Sequence, residues 1–177
     1  MKALYLLRHA KSAWDDPTGG GPAPPDHDRP LAPRGEKAAA LVGRHLKERG
    51  ARIDLVLCST AVRAAETGRR LLAALDAPAV PVIHERGLYL CGAQALLERL
   101  RAAPEAAGAL MLIAHNPDLH ELAQTLTGSG GERHRRALAE KFPTAACALL
   151  LFETAHWRDL APGGGRLADF VVPRKLS

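Results

Sequence analysis

The sequence predicts a single α/β domain in which a mostly parallel sheet carries helices on both faces. Short runs of mainly apolar residues at 4–7, 53–58 and 109–114 have the pattern of strands that are buried on both faces. Amphipathic helical patterns lie between these runs, which is typical of a fold that alternates strands and helices. The chain has 177 residues, of which 47% are hydrophobic. We therefore expect residues 1–177 to form one domain around a substantial core.

The first strand, at 4–7, ends on Arg8 and His9, and Ser12 follows shortly after. In open α/β sheets, ligands bind at the carboxyl ends of the strands. A guanidinium group suits phosphate or carboxylate oxygens, and a histidine can act as a base, a proton donor or a nucleophile. The alternative for an isolated pair is a charged strand end in water. Residues 15–33, rich in proline and glycine, are predicted to be a long loop, and their position favours an active-site loop over a linker.

The next elements are a helix at 34–49, led by Pro33 and ended by Gly50, and the second strand at 53–58. Ser59 is predicted to cap the following helix, which continues to about residue 75. Arg63 lies in the first turn of that helix, where a cation opposes the helix dipole. Such local conflicts tend to mark functional positions.

The second half of the chain repeats this alternation. A short third strand at 81–83 leads to Glu85, and a helix covers 93–103. The fourth strand, at 109–114, ends on His115 and Asn116; Asn116 is predicted to cap a helix that Pro117 opens and that covers 118–127. A flexible break at 128–131 and a basic segment at 133–141 follow. Two more strands are predicted, at 146–152 and 167–172, the last one closing an antiparallel edge.

Composition limits the classes of function. The net charge of +5 suggests an anionic ligand or partner. Only 4% of residues are aromatic, and no aromatic–basic pattern suits base stacking, so we expect no nucleic acid. The three cysteines are far apart and are predicted to be buried thiols in a reducing cytosol. The N-terminal apolar run is too short for a signal peptide or a membrane span, which predicts a cytoplasmic protein with no membrane partner.

Three strands deliver cationic or potentially cationic side chains at or just past their carboxyl ends. These side chains are Arg8 and His9, then Arg63, then His115. If the strands are parallel neighbours, all four groups converge on one crevice. A small, multiply charged anion is the natural ligand of such a crevice, and a phosphoryl group fits best.

The sequence lacks the motifs of metal-dependent enzymes, nucleotide-binding enzymes and serine hydrolases. There is no HxH or HExxH, and no carboxylate is at ligand spacing to His9 or His115, so no metal site and no cofactor are expected. Phosphate-binding loops of nucleotide enzymes and the GxSxG motif of serine hydrolases are also absent from the sequence. Among the remaining histidines, only His27 and His84 are placed in segments that border the crevice.

The segment at 6–10, Leu-Leu-Arg-His-Ala, resembles the RHG or RHA signature of the histidine phosphatase superfamily, also called phosphoglycerate mutase-like. Further blocks at 28–35, 58–67, 113–117 and 142–145 resemble the short SixA-type phosphohistidine phosphatases, in the same order along nearly the whole chain. The resemblance implies a phosphoglycerate mutase-like three-layer α/β/α fold without a metal.

The resemblance also implies roles for individual residues. His9 would be the nucleophile that is transiently phosphorylated, and Arg8, Arg63 and His115 would hold the phosphoryl oxygens. We place Ser12 and Asn116 with the substrate-binding residues. Larger relatives carry an acidic proton donor after the third strand, which makes Glu85 the candidate general acid. The alternative is that Glu85 is a solvated carboxylate at the end of the strand. Asp15 is a weaker candidate for the acid.

These patterns lead to one predicted function and several rivals. We expect a metal-independent phosphatase that releases inorganic phosphate from phosphohistidine on a protein. A small-molecule phosphomonoesterase and a mutase are the rival enzymes. A module that binds phosphate without hydrolysing it is the rival from another class, although a pure binder would not need His9. The basic segment at 133–141 could meet an acidic partner surface, although a solvated charged helix is the default interpretation.

Overall fold

The computed structural model describes residues 1–15 and 18–176, and its centre is a mixed sheet with the strand order β3-β2-β4-β1-β6-β7-β5. The seven strands of the described residues are β1 (Lys2–Arg8), β2 (Leu55–Ser59), β3 (Val82–Glu85), β4 (Ala109–Ala114), β5 (Thr127–Gly130), β6 (Cys147–Phe152) and β7 (Gly165–Val171). Strands β3, β2, β4 and β1 run parallel, β6 pairs antiparallel with β1 and β7, and β5 pairs parallel with β7.

Helices cover both faces of the sheet. Five α-helices lie in the described residues: α1 (Pro33–Glu48), α2 (Val62–Ala74), α3 (Ala93–Arg101), α4 (Asp118–Leu126) and α5 (Glu132–Glu140). Short 3-10 helices occupy Asp26–Asp28, Arg86–Leu88, Trp157–Asp159 and Pro173–Lys175. Helices α1 and α2 pack together on one face, and α3, α4 and α5 contribute to the core on the other. The predicted three-layer α/β/α fold, with a mostly parallel sheet, is thereby confirmed.

Strand β1 shows why the apolar runs form central strands. Its side chains alternate between the two cores, with Leu4 and Leu6 on one face and Tyr5 and Leu7 on the other. Neighbouring β4 is buried over its full length. A strand covered on both faces needs apolar residues at every position, and this is the pattern that the sequence shows.

Several local predictions were wrong because tertiary contacts took over the polar groups. Ser59 is the last residue of β2, and α2 begins at Val62 without a side-chain cap. The residue before α4 is Pro117, and the Asn116 amide donates to the Phe142 carbonyl instead of capping the helix. The predicted break at 128–131 contains most of β5, which places this strand, and not β7, at the edge of the sheet.

The cysteines are free thiols. Cys58 and Cys147 are buried as predicted, whereas Cys91 is partly exposed, contrary to the prediction. Burial raises the pKa of Cys58 to about 12, so this thiol stays protonated and unreactive at neutral pH. Among the described residues, no helix has the length and apolar character that crossing a membrane requires.

A glycine brings α1 into contact with the segment that follows β1. Gly35 is buried in the first turn of α1 and faces the backbone of Lys11. A Cβ atom at this position would lie 2.1 Å from the Lys11 carbonyl oxygen, which is far inside van der Waals contact. The close approach of α1 to this segment therefore requires glycine at position 35.

Candidate active site

The carboxyl ends of β1 and β4, the start of α2 and the loop after β1 enclose a pocket of about 390 Å³. The sheet order explains the convergence, because β4 lies between β1 and β2 and runs parallel to both. Six of the residues that sequence reasoning selected line this pocket: Arg8, His9, Ser12, Arg63, His115 and Asn116. Lys11, Trp14, Arg29, Leu90 and Thr144 complete the lining.

His9 is buried, and its hydrogen bond fixes which nitrogen carries the proton. The Nδ1 atom lies 2.8 Å from the carbonyl oxygen of Ala10. A carbonyl oxygen can only accept, so Nδ1 carries the proton and Nε2 keeps its lone pair. Burial, together with the nearby charges of Arg63 and Arg8, lowers the pKa of His9 to about 3. His9 is therefore a neutral imidazole with a free Nε2 at neutral pH.

The residue after His9 is held by the second helix. The backbone N–H of Ala10 donates to Oγ1 of Thr67 at 2.9 Å, and this hydroxyl donates to the carbonyl of Arg63 at 2.6 Å. Both side-chain bonds are buried. Thr67 thus links the backbone that orients His9 to the first turn of α2, which carries Arg63.

Arg8 and Arg63 place positive charge at the wall of the pocket, where their side chains are largely shielded from solvent. Arg63 is only 3% exposed, and Arg8 donates to the Phe142 carbonyl at 3.1 Å. Burial and the charge of Arg63 lower the pKa of Arg8. Among the described residues, the Nε atoms of Arg8 and of Arg63 are buried donors without a partner. Both arginines line the pocket, and their charges suit the binding of an anion there.

Asp26 in the loop after β1 compensates Arg63. Its carboxylate accepts from Nη2 of Arg63 at 3.0 Å, and its backbone carbonyl accepts from Nη1 at 2.6 Å. The hydroxyl of Tyr89 donates to the same carboxylate oxygen, and Arg29 forms an ion pair with the other oxygen at 3.1 Å. These contacts hold the pKa of Asp26 well below its usual range, and the hydrogen bond from Tyr89 has the largest effect. The loop thus carries the counter-charge of the site.

His115 completes the cluster and is also neutral. Its Nδ1 accepts from Nη2 of Arg63 at 3.4 Å, so Nε2 carries the proton and donates to Oγ of Ser59 at 2.8 Å. Burial and the charge of Arg63 lower the pKa of His115 to about 4. The ring lies 5.1 Å from that of His9 and 5.3 Å from that of Tyr89.

Ser12 and Asn116 lie at the pocket but are engaged by protein groups. The hydroxyl of Ser12 accepts from Nη1 of Arg29 at 2.7 Å. Asn116 shares the Phe142 carbonyl with Arg8, and its Oδ1 is buried without a partner among the described residues. Ser12 thus positions Arg29, and Asn116 leaves one acceptor at the pocket.

Glu85 does not lie with the other predicted residues. Both of its carboxylate oxygens accept from Arg99 on α3, at 2.8 to 2.9 Å, and it does not line the pocket. The acid role of Glu85 stays a prediction, and it would require this ion pair to open. Asp15 is exposed in the loop. His27 packs edge-on against Tyr89 and does not line the pocket, and His84 is an exposed residue of β3.

Sequence reasoning assigned no role to Asp26, Arg29, Tyr89 or Thr67. One signal was available for Asp26: a buried arginine needs a carboxylate, and the loop at 15–33 holds several. Arg29 and Thr67 lie within blocks that were recognised, but their partners depend on how the loop folds. Among the described residues, no group of three or more histidine, cysteine or carboxylate side chains is arranged to hold a metal ion.

The mouth of the pocket carries exposed apolar side chains. Trp14 is 72% exposed and Leu90 is 52% exposed, and both line the pocket. The guanidinium of Arg29 lies 3.7 Å from the centre of the Trp14 ring, which holds the indole in place. Exposed apolar side chains at the rim of a charged pocket suit contact with a larger molecule.

Comparison with known proteins agrees with this geometry. A family model described as histidine phosphatase superfamily (branch 1) matches residues 4–89, which include Arg8, His9 and Arg63. The uncharacterized protein Rv1276c of Mycobacterium tuberculosis is 37% identical over 170 residues, which cover 95% of this chain and 100% of that protein.

Two solved structures are similar over nearly their full lengths. The "putative phosphohistidine phosphatase SixA" from Agrobacterium tumefaciens has a TM-score of 0.77 and 29% identity, covering 97% of this chain and 98% of the other. The protein of the same description from Nakamurella multipartitia has a TM-score of 0.78 and 28% identity, covering 97% and 96%.

The buried histidines predict how stability depends on pH. The unfolded chain binds a proton at His9 below the usual pKa of about 6.5, whereas folded His9, with its pKa of about 3, does not. Stability is therefore lost as pH falls between these values, by up to about 1.4 kcal/mol per pH unit for one histidine. We expect the free energy of unfolding of His9→Gln, measured by urea unfolding, to fall less steeply between pH 6 and pH 4.5 than that of the wild type. His84→Gln, which removes an exposed histidine, should keep the wild-type slope; equal slopes in all three proteins would contradict the neutral, buried state of His9.

Proposed function

The chain belongs to the histidine phosphatase superfamily, and we propose that it is a metal-independent phosphatase that works through a phosphohistidine on His9. The observation that carries this proposal is the hydrogen bond from Nδ1 of His9 to the Ala10 carbonyl. It leaves the Nε2 lone pair free in a pocket where Arg8 and Arg63 have buried donors without partners. We further propose that residues 1–177 act as one catalytic domain.

In the first step, Nε2 of His9 attacks phosphorus in line with the leaving group. The P–Nε2 bond forms as the bond to the leaving group breaks, and Arg8 and Arg63 offset the charge on the phosphoryl oxygens. A proton delivered to Nδ1 of His115 by a monoprotonated substrate phosphate would replace its hydrogen bond from Arg63 and let His115 donate to the same oxygens. Water then attacks the phosphohistidine, the P–Nε2 bond breaks, and inorganic phosphate leaves.

The proposed substrate is a phosphohistidine on a protein. A phosphohistidine that is protonated on its other ring nitrogen departs as neutral imidazole and needs no acid from the enzyme. An alkyl phosphate does need a proton, and Glu85 is held by Arg99 away from the pocket lining. The similarity to two SixA structures supports the same choice. A small-molecule phosphomonoesterase and a mutase remain the alternatives within the superfamily.

We expect His9→Ala to abolish turnover of a chromogenic phosphoester while it keeps the fold, because it removes the attacking nitrogen. Rapid alkaline quenching with a radiolabelled substrate should trap base-stable, acid-labile phosphate on the wild type and none on the variant. His84→Ala is the matched control and should keep wild-type turnover. Near-normal turnover by His9→Ala would sink the assignment of the nucleophile.

Loss of one charged donor to the transition state typically costs on the order of 100- to 1,000-fold in rate. Arg63→Ala should show a loss of this size, together with weaker inhibition by inorganic phosphate. Arg69→Ala removes an exposed arginine from the same helix and should change neither quantity. Treatment with EDTA should leave the wild-type rate unchanged, and a strict requirement for an added divalent metal would contradict the mechanism.

The acid requirement separates the substrate classes. If the Arg99 ion pair opens and Glu85 acts as the general acid, we expect Glu85→Gln to lower kcat/KM for sugar phosphates far more than for a phosphohistidine protein, whose imidazole leaves without an acid. A large loss on sugar phosphates alone would identify Glu85 as the general acid. In the wild type, kcat/KM should favour the phosphohistidine protein. A preference of about tenfold or more for a small phosphoester, about 1.4 kcal/mol in transition-state stabilisation, would replace the protein substrate by a small molecule.

A further inference from the structure

A second, larger concavity adjoins the catalytic pocket. It is a groove of about 610 Å³ between α1 and the segment after β7, and Lys11 and Thr144 line both the groove and the pocket. Apolar side chains contribute much of its lining, including Leu41, Pro143 and Val172. A ligand held in the groove can therefore extend into the pocket without leaving the protein surface.

The charges around the groove have one sign. Five cationic side chains line it: Lys11, Arg34, Lys37, Arg44 and Arg174. All five are exposed, and none forms an ion pair with a carboxylate of the described residues. No carboxylate appears among the described residues that line the groove. An apolar lining with unpaired cations suits a ligand that is both apolar and acidic.

The groove is elongated, because its α1 residues recur at helical spacing. Arg34, Lys37, Leu41 and Arg44 lie on one face of the helix and span eleven residues, or about 15 Å over ten steps of 1.5 Å each. This length exceeds what a phosphoryl group or a single side chain needs. It matches about three turns of a second helix.

We propose that this groove binds an acidic, amphipathic helix of the phosphoprotein substrate while the phosphohistidine of that protein enters the catalytic pocket. The inference rests on the proposed function and adds the chemistry of the partner. The apolar face of the helix packs on Leu41, and its carboxylates meet the cations of α1. Trp14 and Leu90, exposed at the mouth of the pocket, contact the same partner.

Other occupants fit the groove less well. A second copy of the chain would bring like charges together, which costs energy. A nucleic acid would lack a stacking platform, since no aromatic side chain lies among the described residues of the lining. The basic segment at 133–141 is the rival surface. Its helix α5 mixes both signs of charge, with Arg136 paired to Glu132, and it does not line the catalytic pocket.

The test compares two synthetic substrates that carry phosphohistidine. One is a tripeptide, and the other is an amphipathic helical peptide with glutamates on one face and leucines on the other. We expect the wild type to show a kcat/KM at least about tenfold higher for the helical peptide, mainly through a lower KM, and to lose this advantage in high salt. The double variant Lys37→Glu/Arg44→Glu should lose the advantage while it hydrolyses the tripeptide at the wild-type rate, which also shows that it folds.

The matched control is Arg133→Glu/Arg135→Glu on α5, which makes the same change in net charge and should keep the advantage. Equal kcat/KM for the two substrates in the wild type would overturn the docking proposal alone. So would a loss confined to the α5 variant, or a groove-dependent preference for a small apolar phosphoester. If the enzyme hydrolyses neither phosphohistidine substrate, the proposed function itself fails, and the docking proposal fails with it.

Discussion

A neutral histidine surrounded by cations needs one fixed hydrogen bond to decide which of its nitrogens carries the proton. In this protein the Ala10 carbonyl provides that bond to Nδ1 of His9. The acceptor is itself held in place, because the Ala10 amide is bound by Thr67, which in turn is bound to the backbone of Arg63. If the imidazole turned over, the lone pair would move from Nε2 to the other end of the ring. The orientation of the proposed nucleophile therefore depends on the packing of α2 against the end of β1.

The second constraint is the burial of positive charge. Arg63 has almost no contact with solvent, and burying a lone cation is costly unless a carboxylate compensates it. Asp26 supplies this carboxylate from a loop, and Tyr89 and Arg29 hold Asp26 in position. Arg63 also lines the pocket, so its compensated charge lies at the pocket wall. Residues 26–29 of the loop thus contribute to the electrostatics of the site.

The sequence predicted what depends on local pattern and missed what depends on distant contacts. Strands β1 and β4 were recognised because burial on both faces demands continuous apolar residues. Strand β5 was missed because its Thr-Gly-Ser-Gly sequence pairs through the main chain and shows no side-chain pattern. Ser59 and Asn116 were predicted as caps, but His115 and the Phe142 carbonyl are their partners. The contact of Asp26 with Arg63 spans 37 residues of a chain segment without periodicity, so no spacing rule could reveal it.

The glycine at position 35 has a consequence for the evolution of this protein. It lets α1 rest directly on the backbone of Lys11, so the helix that forms the groove and the segment that forms the pocket are fixed relative to each other. A side chain at position 35 would lift the helix and disturb recognition and chemistry at once. Substitutions at Lys37, Leu41 or Arg44 leave the contact between Gly35 and the Lys11 backbone unchanged. Substitutions on the exposed face of one helix can therefore change the surface that we propose for docking, while the geometry of the pocket stays the same.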